Sequence, residues 1–184
     1  MKSKKKVLVA PCGLYCGACS IRSAYNRNDS VLLKAMADGV SLYLGHKVDA
    51  KDLACKGCLS DVVSISCREC KMRDCAFSKG LKYCSECTDF PCELIKNFNN
   101  DGLPHHAEVL YNIRHQREIE IDAWAKEQEG RWRCPQCDAS TDWYANKCHS
   151  CGADLERHFQ KLIMGNGLAY KNEGGSLWQI QSTM

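Results

Sequence analysis

The 184-residue sequence has no apolar stretch near the roughly 20 residues that a helix needs to cross a bilayer. The apolar run at positions 7–10 is also far shorter than the roughly 7–15 residues of an export signal. We therefore expect no membrane partner and no secretory leader. These absences favour a cytoplasmic protein.

The sequence also lacks the motifs of the common catalytic and nucleotide-binding sites. It contains no Ser/His/Asp order, no glycine-rich phosphate loop and no His-Glu-x-x-His pattern. No small-molecule substrate is identifiable on this basis. Whether the chain is an enzyme stays open.

Aliphatic residues are scarce. Hydrophobic residues make up only 45% of the chain, and this fraction already includes the 15 cysteines. The aliphatic core of a single large domain would therefore be small, and another source of stability is needed. In a reducing compartment, cysteines paired as C-x2-C are more often metal ligands than disulfides, because two such thiolates bind one tetrahedral ion. We interpret the cysteines as metal ligands.

The clearest metal-binding pattern lies near the C-terminal end of the chain. It consists of two C-x2-C pairs, Cys134 with Cys137 and Cys148 with Cys151, separated by ten residues. Two knuckle turns of this type bring four sulfurs to one zinc ion at about 2.3 Å. Four thiolates leave no open position for water or substrate. The pattern therefore predicts a structural zinc ribbon.

The other eleven cysteines are also expected to bind metal, although eleven ligands do not divide into sites of four. They are Cys12, Cys16, Cys19, Cys55, Cys58, Cys67, Cys70, Cys75, Cys84, Cys87 and Cys92. One grouping makes two closed sites from the last eight and leaves Cys12, Cys16 and Cys19 as an open group of three. Another joins Cys16 and Cys19 with Cys55 and Cys58, and leaves over Cys12 and two later cysteines. The spacing alone does not choose between these groupings.

Two further cysteine patterns bear on these sites. The segments 67–75 and 84–92 share the spacing C-x2-C-x4-C, which indicates two similar half-sites. The spacing C-x3-C-x2-C at 12–19 is that of the motif by which radical S-adenosylmethionine enzymes hold a [4Fe–4S] cluster with one open iron. We expect about three zinc ions. A [4Fe–4S] cluster in the N-terminal part is the alternative.

The formal net charge of +3 counts every thiol as neutral. Twelve thiolates around three divalent ions would change this value to about −3, which weakens the argument for nucleic-acid binding. We expect a structural or interaction module for a protein or nucleic-acid partner, with Arg131, Arg133 and Lys147 near the contact surface. The alternative is an iron–sulfur redox protein or enzyme.

Helical spacing of apolar residues predicts a helix within 29–45 and a helical hairpin over 93–130, whose second helix begins at Pro104. His105 and His106 lie in the first turn of that second helix. We expect them to be unliganded surface histidines, with metal ligation as the alternative.

The segments APCGLYCGACSIR, CKGCLSD and CRECKMRDCAFSKGLKYCSECTDFPCELI together resemble a prokaryotic family of cysteine-rich domains of unknown function, number 3795. The resemblance covers residues 11–95 and includes all eleven cysteines that lie outside the ribbon pattern. It implies metal-binding cysteines and a prokaryotic origin. It implies no activity and no catalytic residue.

We therefore predict an α+β fold. A small irregular metal-stabilised domain, with zinc knuckles, short hairpins and about three or four helices, occupies residues 1–130. The zinc ribbon follows at 131–155, and a C-terminal tail at 156–184. Within this tail, the segment 156–164 has the spacing of a short helix, and the segment 176–180 is either loose or an edge strand.

Overall fold

The computed structural model describes residues 8–156 of the chain. Most regular structure in this part is helical. The α-helices are α1 (Ser20–Asn26), α2 (Ser30–Leu44), α3 (Ile65–Arg68), α4 (Lys71–Ser78), α5 (Glu93–Asn99), α6 (Val109–Ile119) and α7 (Ile121–Arg131). Short 3-10 helices cover Cys16–Ala18, Ala50–Leu53, Cys84–Glu86 and His106–Glu108.

Extended structure between residues 8 and 156 is limited to isolated antiparallel bridges. The bridges pair Val9 with Tyr15, Arg133 with Ser140, and Lys147 with Asp154. Each bridge closes one short turn, and the chain then enters a helix or another turn instead of extending the ladder. The predicted α+β architecture with hairpins is therefore only weakly supported, and the described fold is mostly helical.

Helix α2 begins and ends where its sequence predicts. The Asp29 carboxylate accepts a hydrogen bond from the Leu32 amide at 3.0 Å, which satisfies a free N–H in the first turn. Gly45 follows the last turn with a φ of 77°, in the left-handed region that glycine adopts at low cost. The observed helix Ser30–Leu44 confirms the helix predicted within 29–45.

The predicted second helix of the hairpin is divided into α6 and α7. Glu120 separates them with a φ of 66°, which breaks the helical path. The two helices pack against each other and insert fully buried apolar side chains into the core, Val109 and Ile113 from α6 and Trp124 from α7. The break lets two helix faces contact different parts of the core, which one straight helix could not do.

The interior consists of three clusters of buried side chains. One cluster joins α1 and α2 to the 3-10 helix Ala50–Leu53. A second joins Val9 and Tyr15 to Trp124 and Trp132, and so connects the start of the described chain to its end. The third contains cysteines among aliphatic side chains. Its buried members are Ala10, Cys12, Leu14, Cys16, Cys58, Met72, Ala76, Cys84, Ile95, Val109 and Ile113.

The N-terminal segment 8–18 lies between the other elements. Backbone hydrogen bonds hold it on two sides. The Cys84 amide donates to the Pro11 carbonyl at 2.8 Å, and the Trp143 amide donates to the Ala18 carbonyl at 2.9 Å. The predicted helix at 156–164 extends beyond the described residues, and the segment 176–180 lies wholly outside them. In the described part, no helix has the length and apolar character needed to cross a membrane.

Candidate metal centres

The four cysteines of the C-terminal pattern converge. The Sγ atoms of Cys134, Cys137, Cys148 and Cys151 all lie within 4.8 Å of one another. The Cys134–Cys151 pair is separated by 3.7 Å and the Cys137–Cys148 pair by 3.6 Å. A tetrahedral zinc ion with bonds of about 2.3 Å requires sulfurs about 3.8 Å apart. The spacing is therefore compatible with one metal ion held by four thiolates.

Two matching turns bring these sulfurs together. In the first turn the Asp138 amide donates to the Cys134 carbonyl at 2.9 Å, and in the second the Gly152 amide donates to the Cys148 carbonyl at 2.9 Å. Asp138 and Gly152 occupy equivalent positions, with φ values of 56° and 76°. The two halves of the site are thus built alike, as the repeated C-x2-C spacing predicts.

The backbone of the second turn favours a thiolate. Amide groups of Cys151 and Ser150 lower the pKa of Cys148 to about 6, because their hydrogen bonds stabilise the anion. The Ser150 amide lies 3.4 Å from the Cys148 sulfur. For Cys137, the Ala139 amide lowers the pKa, but hydrogen bonds with the other three sulfurs raise it overall to about 12. A cation at the centre would stabilise all four anions together.

The ribbon is joined to the helical part through Asp142, which is only 5% exposed. Its carboxylate accepts a hydrogen bond from the Ser20 hydroxyl of α1 at 2.6 Å. It also lies 3.0 Å from Nε2 of His149, so the exposed His149 is paired with this carboxylate beside the metal site. The segment 131–155 therefore packs on the N-terminal part through charged and polar contacts as well as through its tryptophans.

The cations expected near a contact surface are paired with carboxylates. Arg131 contacts Glu108 at 2.6 Å, and Lys147 contacts Asp154 at 2.6 Å. Arg133 is bound to Glu129 at 3.0 Å. These three side chains therefore do not present an uncompensated positive surface.

Among residues 8–156, no other group of three or more cysteines, histidines or carboxylates has its ligand atoms this close together. The remaining cysteines still lie near one another. Cys58 and Cys67 have sulfurs 3.3 Å apart. Hydrogen bonds with Cys16 and Cys67, together with burial, raise the pKa of Cys58 well above its ordinary value. Cys16 is thus a neighbour of Cys58 and Cys67 although it lies about 40 residues or more before them in the sequence.

The sulfur atoms of Cys12, Cys16 and Cys19 do not all lie within 4.8 Å of one another. Burial raises the pKa of Cys12, and the neighbouring thiol that adds most to this rise is Cys70. Burial also raises the pKa of Cys19, and there the leading neighbour is Cys67. Cys12 and Cys19 therefore have different leading neighbours among the thiols, and the grouping of Cys12, Cys16 and Cys19 as an open site stays a prediction.

A separate group of four cysteines lines a small cavity between α4 and α5. These residues are Cys75, Cys84, Cys87 and Cys92, and the cavity is otherwise bounded by Met72, Ala76, Lys79, Phe90, Leu94 and Ile95. Burial raises the pKa of Cys84 to about 12, with further contributions from the other three thiols of this group. Both groupings of the eleven cysteines that the sequence allows are compatible with these four residues as one site, but neither grouping assigned them to the same site.

The two C-x2-C-x4-C segments do not form equivalent half-sites. In the first segment, Cys70 directly precedes α4 and Cys75 lies inside it. In the second, Pro91 occupies the position before Cys92, and α5 begins only after Cys92. Proline has no N–H to donate and disfavours helix at the preceding residue. The prediction of two similar half-sites therefore fails at Pro91.

His105 and His106 were expected on the surface, but His106 is buried and His105 is half-buried. His106 is 6% exposed, and its Nδ1 lies 2.8 Å from the Asp101 carboxylate. The His105 ring stacks on Trp143 with centroids 4.2 Å apart, and its Nδ1 lies 2.6 Å from the Tyr144 hydroxyl. The His106 ring packs on Phe98 of α5, whereas the His105 ring helps to join the helical hairpin to the ribbon. The sequence signal for this contact is weak, because the partners lie almost 40 residues apart.

Comparison with known proteins gives one relationship. No curated protein and no solved structure matches the chain. The model of a family described as "Protein of unknown function (DUF3795)" matches residues 8–97, the segment that carries all eleven N-terminal cysteines, and this supports placing that segment in the family.

Proposed function

We propose that the chain is a multi-site zinc-binding protein whose metal sites are structural and hold a surface for a macromolecular partner. The observation that carries the proposal is the convergence of four ribbon sulfurs at separations of 3.6 Å and 3.7 Å in the pairs measured. A centre with four thiolate ligands has no position for a reacting molecule. Zinc at this site would therefore supply folding free energy and not chemistry.

The proposal also divides the chain into three regions. Residues 1–130 would form the cysteine-rich domain and 131–155 the zinc ribbon, with 156–184 as a tail. Free thiols in this number favour a reducing compartment such as the cytoplasm, where metal binding competes well with disulfide formation. Membership of the whole chain in the prokaryotic family matched at residues 8–97 is part of the same proposal.

A protein is a better partner than a nucleic acid for this molecule. The cations nearest the ribbon are each bound to a carboxylate, so releasing them for phosphates would break existing ion pairs. Metal thiolate sites also add negative charge, which opposes binding to a polyanion. Large apolar side chains are exposed on α2, with Val31 81% and Leu42 86% accessible, and such groups suit a protein contact.

The metal part of the proposal is tested by purifying the chain anaerobically and measuring metal content and the visible spectrum. We expect a colourless protein with about three zinc ions per chain. Cys137→Ser should lose one zinc ion, because it removes one of the four converging sulfurs. Cys137 is exposed, so the substitution itself removes no buried side chain. Gln136→Ser, at the exposed neighbouring position, is the matched control and should retain all zinc. A brown sample that contains iron and sulfide would contradict a zinc protein.

The partner part is tested by fluorescence anisotropy with labelled single- and double-stranded oligonucleotides at low salt. We expect no saturable binding. Binding that weakens steeply with added salt, and that is lost in Arg131→Ala with Arg133→Ala, would show a nucleic-acid module instead.

A further inference from the structure

We propose that Cys75, Cys84, Cys87 and Cys92 form a second closed site that binds one zinc ion through four thiolates. This inference deepens the proposed function and rests on it for the identity of the metal. It assigns four of the eleven N-terminal cysteines to one centre, which the spacing of the sequence left open.

The four sulfurs come from elements that meet at one place. Cys84 and Cys87 belong to a tight turn in which the Cys87 amide donates to the Cys84 carbonyl at 3.2 Å. Cys75 is supplied by α4, and Cys92 directly precedes α5. Helices α4 and α5 contact each other, so these ligands approach the turn from the same side of the molecule. The turn thus supplies Cys84 and Cys87, while the two helices fix the positions of Cys75 and Cys92.

The chemistry of the cavity suits a soft cation. Its donor atoms are the four sulfurs, and the side chains between them are largely apolar. No histidine or carboxylate lines it among the described residues. The cavity encloses about 20 Å³, little more than the space of one water molecule.

The surroundings also compensate the charge of such a centre. Four thiolates and one Zn²⁺ carry a net charge of −2, which requires nearby cations or N–H groups. Lys79 Nζ lies 3.6 Å from the Cys87 sulfur while it contacts Asp89 at 2.6 Å. Arg117 donates from Nε to the Ser85 carbonyl at 2.9 Å and also bonds the Cys87 carbonyl. Arg117 thus places a positive charge beside the turn that carries two of the ligands, while Asp89 offsets the charge of Lys79.

The sulfurs of this group are more widely spaced than those of the ribbon, since they do not all lie within 4.8 Å of one another. A tetrahedral zinc ion would draw them to about 3.8 Å. Rotation about χ1 of the cysteine side chains moves each sulfur without moving the helices. Zinc binding should therefore tighten the contact between the turn and α4 and α5 while preserving the fold.

The test compares zinc content and zinc X-ray absorption of the full chain with those of Cys87→Ser and Cys92→Ser. Each variant should lose one zinc ion per chain, and the wild type should show an average of four sulfur ligands at about 2.3 Å. Thr88→Ala, in the same exposed loop, is the control and should keep the wild-type zinc content. Unchanged zinc in both cysteine variants, or iron with sulfide at this site, would overturn the assignment.

A second measurement covers the case in which these variants fold poorly. Wild-type protein is alkylated during stepwise removal of zinc, and the modified cysteines are identified by mass spectrometry. We expect Cys75, Cys84, Cys87 and Cys92 to become reactive together, as a set separate from the ribbon cysteines. Free alkylation of Cys87 in zinc-replete protein would refute the site.

The outcomes separate this inference from the proposed function. If Cys137→Ser loses one zinc ion and Cys87→Ser loses none, the second site is wrong while the ribbon proposal stands. If neither variant loses zinc, both proposals fail.

Discussion

At the scale of single residues, Gly13 determines how closely the N-terminal segment approaches α6. Its φ is 86°, and a Cβ built at this position would lie 2.7 Å from Cγ1 of the fully buried Ile113. The left-handed backbone and the close contact both exclude a side chain. Gly13 thus sets the distance between Cys12 and the helical hairpin.

Gly13→Ala should lower the free energy of unfolding by about 2–4 kcal/mol, because backbone strain and overpacking act together. Gly39→Ala is the matched control. Gly39 lies inside α2, and a Cβ there would meet no atom within 4 Å. That variant should gain about 0.5–1 kcal/mol, since alanine favours helix. Chemical denaturation of both zinc-replete variants checks the prediction, and equal effects of the two substitutions would contradict it.

The cysteines show what residue spacing predicts and what it does not. The convergence of Cys134, Cys137, Cys148 and Cys151 was predictable because these residues lie within one short segment, on two turns of the same kind. The group at Cys75, Cys84, Cys87 and Cys92 depends on the packing of α4 on α5, which is a tertiary contact. Likewise, Cys16 lies beside Cys58 because segments 42 residues apart pack together, and the spacing of the cysteines does not predict such a contact.

At the scale of elements, the helix within 29–45 was predictable because local signals determine both of its ends. The division between α6 and α7 was not, because nothing in the residues around Glu120 is a strong helix breaker. Burial of Trp124 in the cluster with Val9 and Tyr15 favours the break. Here tertiary packing overrides local helix propensity.

His105 is the clearest contact between the helical hairpin and the ribbon. Burial lowers its pKa well below the ordinary value, and the neighbouring His106 lowers it further. The folded state therefore favours neutral His105, while the unfolded chain takes up a proton near pH 6.5. Stability from this group is present above about pH 6.5 and is lost as the pH falls below it.

His105→Phe should reduce the pH dependence of the unfolding free energy between pH 7.5 and 5.5, by up to about 1.4 kcal/mol per pH unit. Phenylalanine retains a ring beside Trp143 but cannot bind a proton. Tyr144→Phe is the control, because it removes the same hydrogen bond and keeps the imidazole. Wild type, His105→Phe and Tyr144→Phe should all lose metal at low pH. The differences between their denaturation curves therefore report the protonation of His105. Parallel pH profiles for wild type and His105→Phe would show that His105 does not titrate in this way.

At the scale of the whole molecule, the proposed metal sites would contribute more to stability than aliphatic burial does. Cysteines occupy positions in the main buried cluster that aliphatic side chains would fill in a larger core. Zinc binding by small finger peptides contributes about 10–16 kcal/mol, whereas a typical domain is stable by only about 5–15 kcal/mol. The loss of even one structural ion is therefore large enough to unfold the part of the chain that it holds.

Removal of metal with a strong chelator under reducing conditions should unfold the protein. Trp124 and Trp132 are 0% and 4% exposed, so their fluorescence should shift to longer wavelength as water reaches them. Re-addition of zinc should restore the original spectrum. A metal-free chain that keeps the fluorescence of buried tryptophan would show that the thiols pack as an ordinary core.

The position of the segment 8–18 also has a consequence for synthesis. The ribosome makes this segment early, but its covering side chains, among them Trp132, and its backbone partner Trp143 are made more than 100 residues later. Cys12 and Cys16 share their buried cluster with Val109 and Ile113 of α6, so during translation these two cysteines stay accessible until α6 has emerged. In that interval the nascent thiols depend on the metal and redox state of the cell, so the supply of zinc during translation would govern the yield of correctly folded protein.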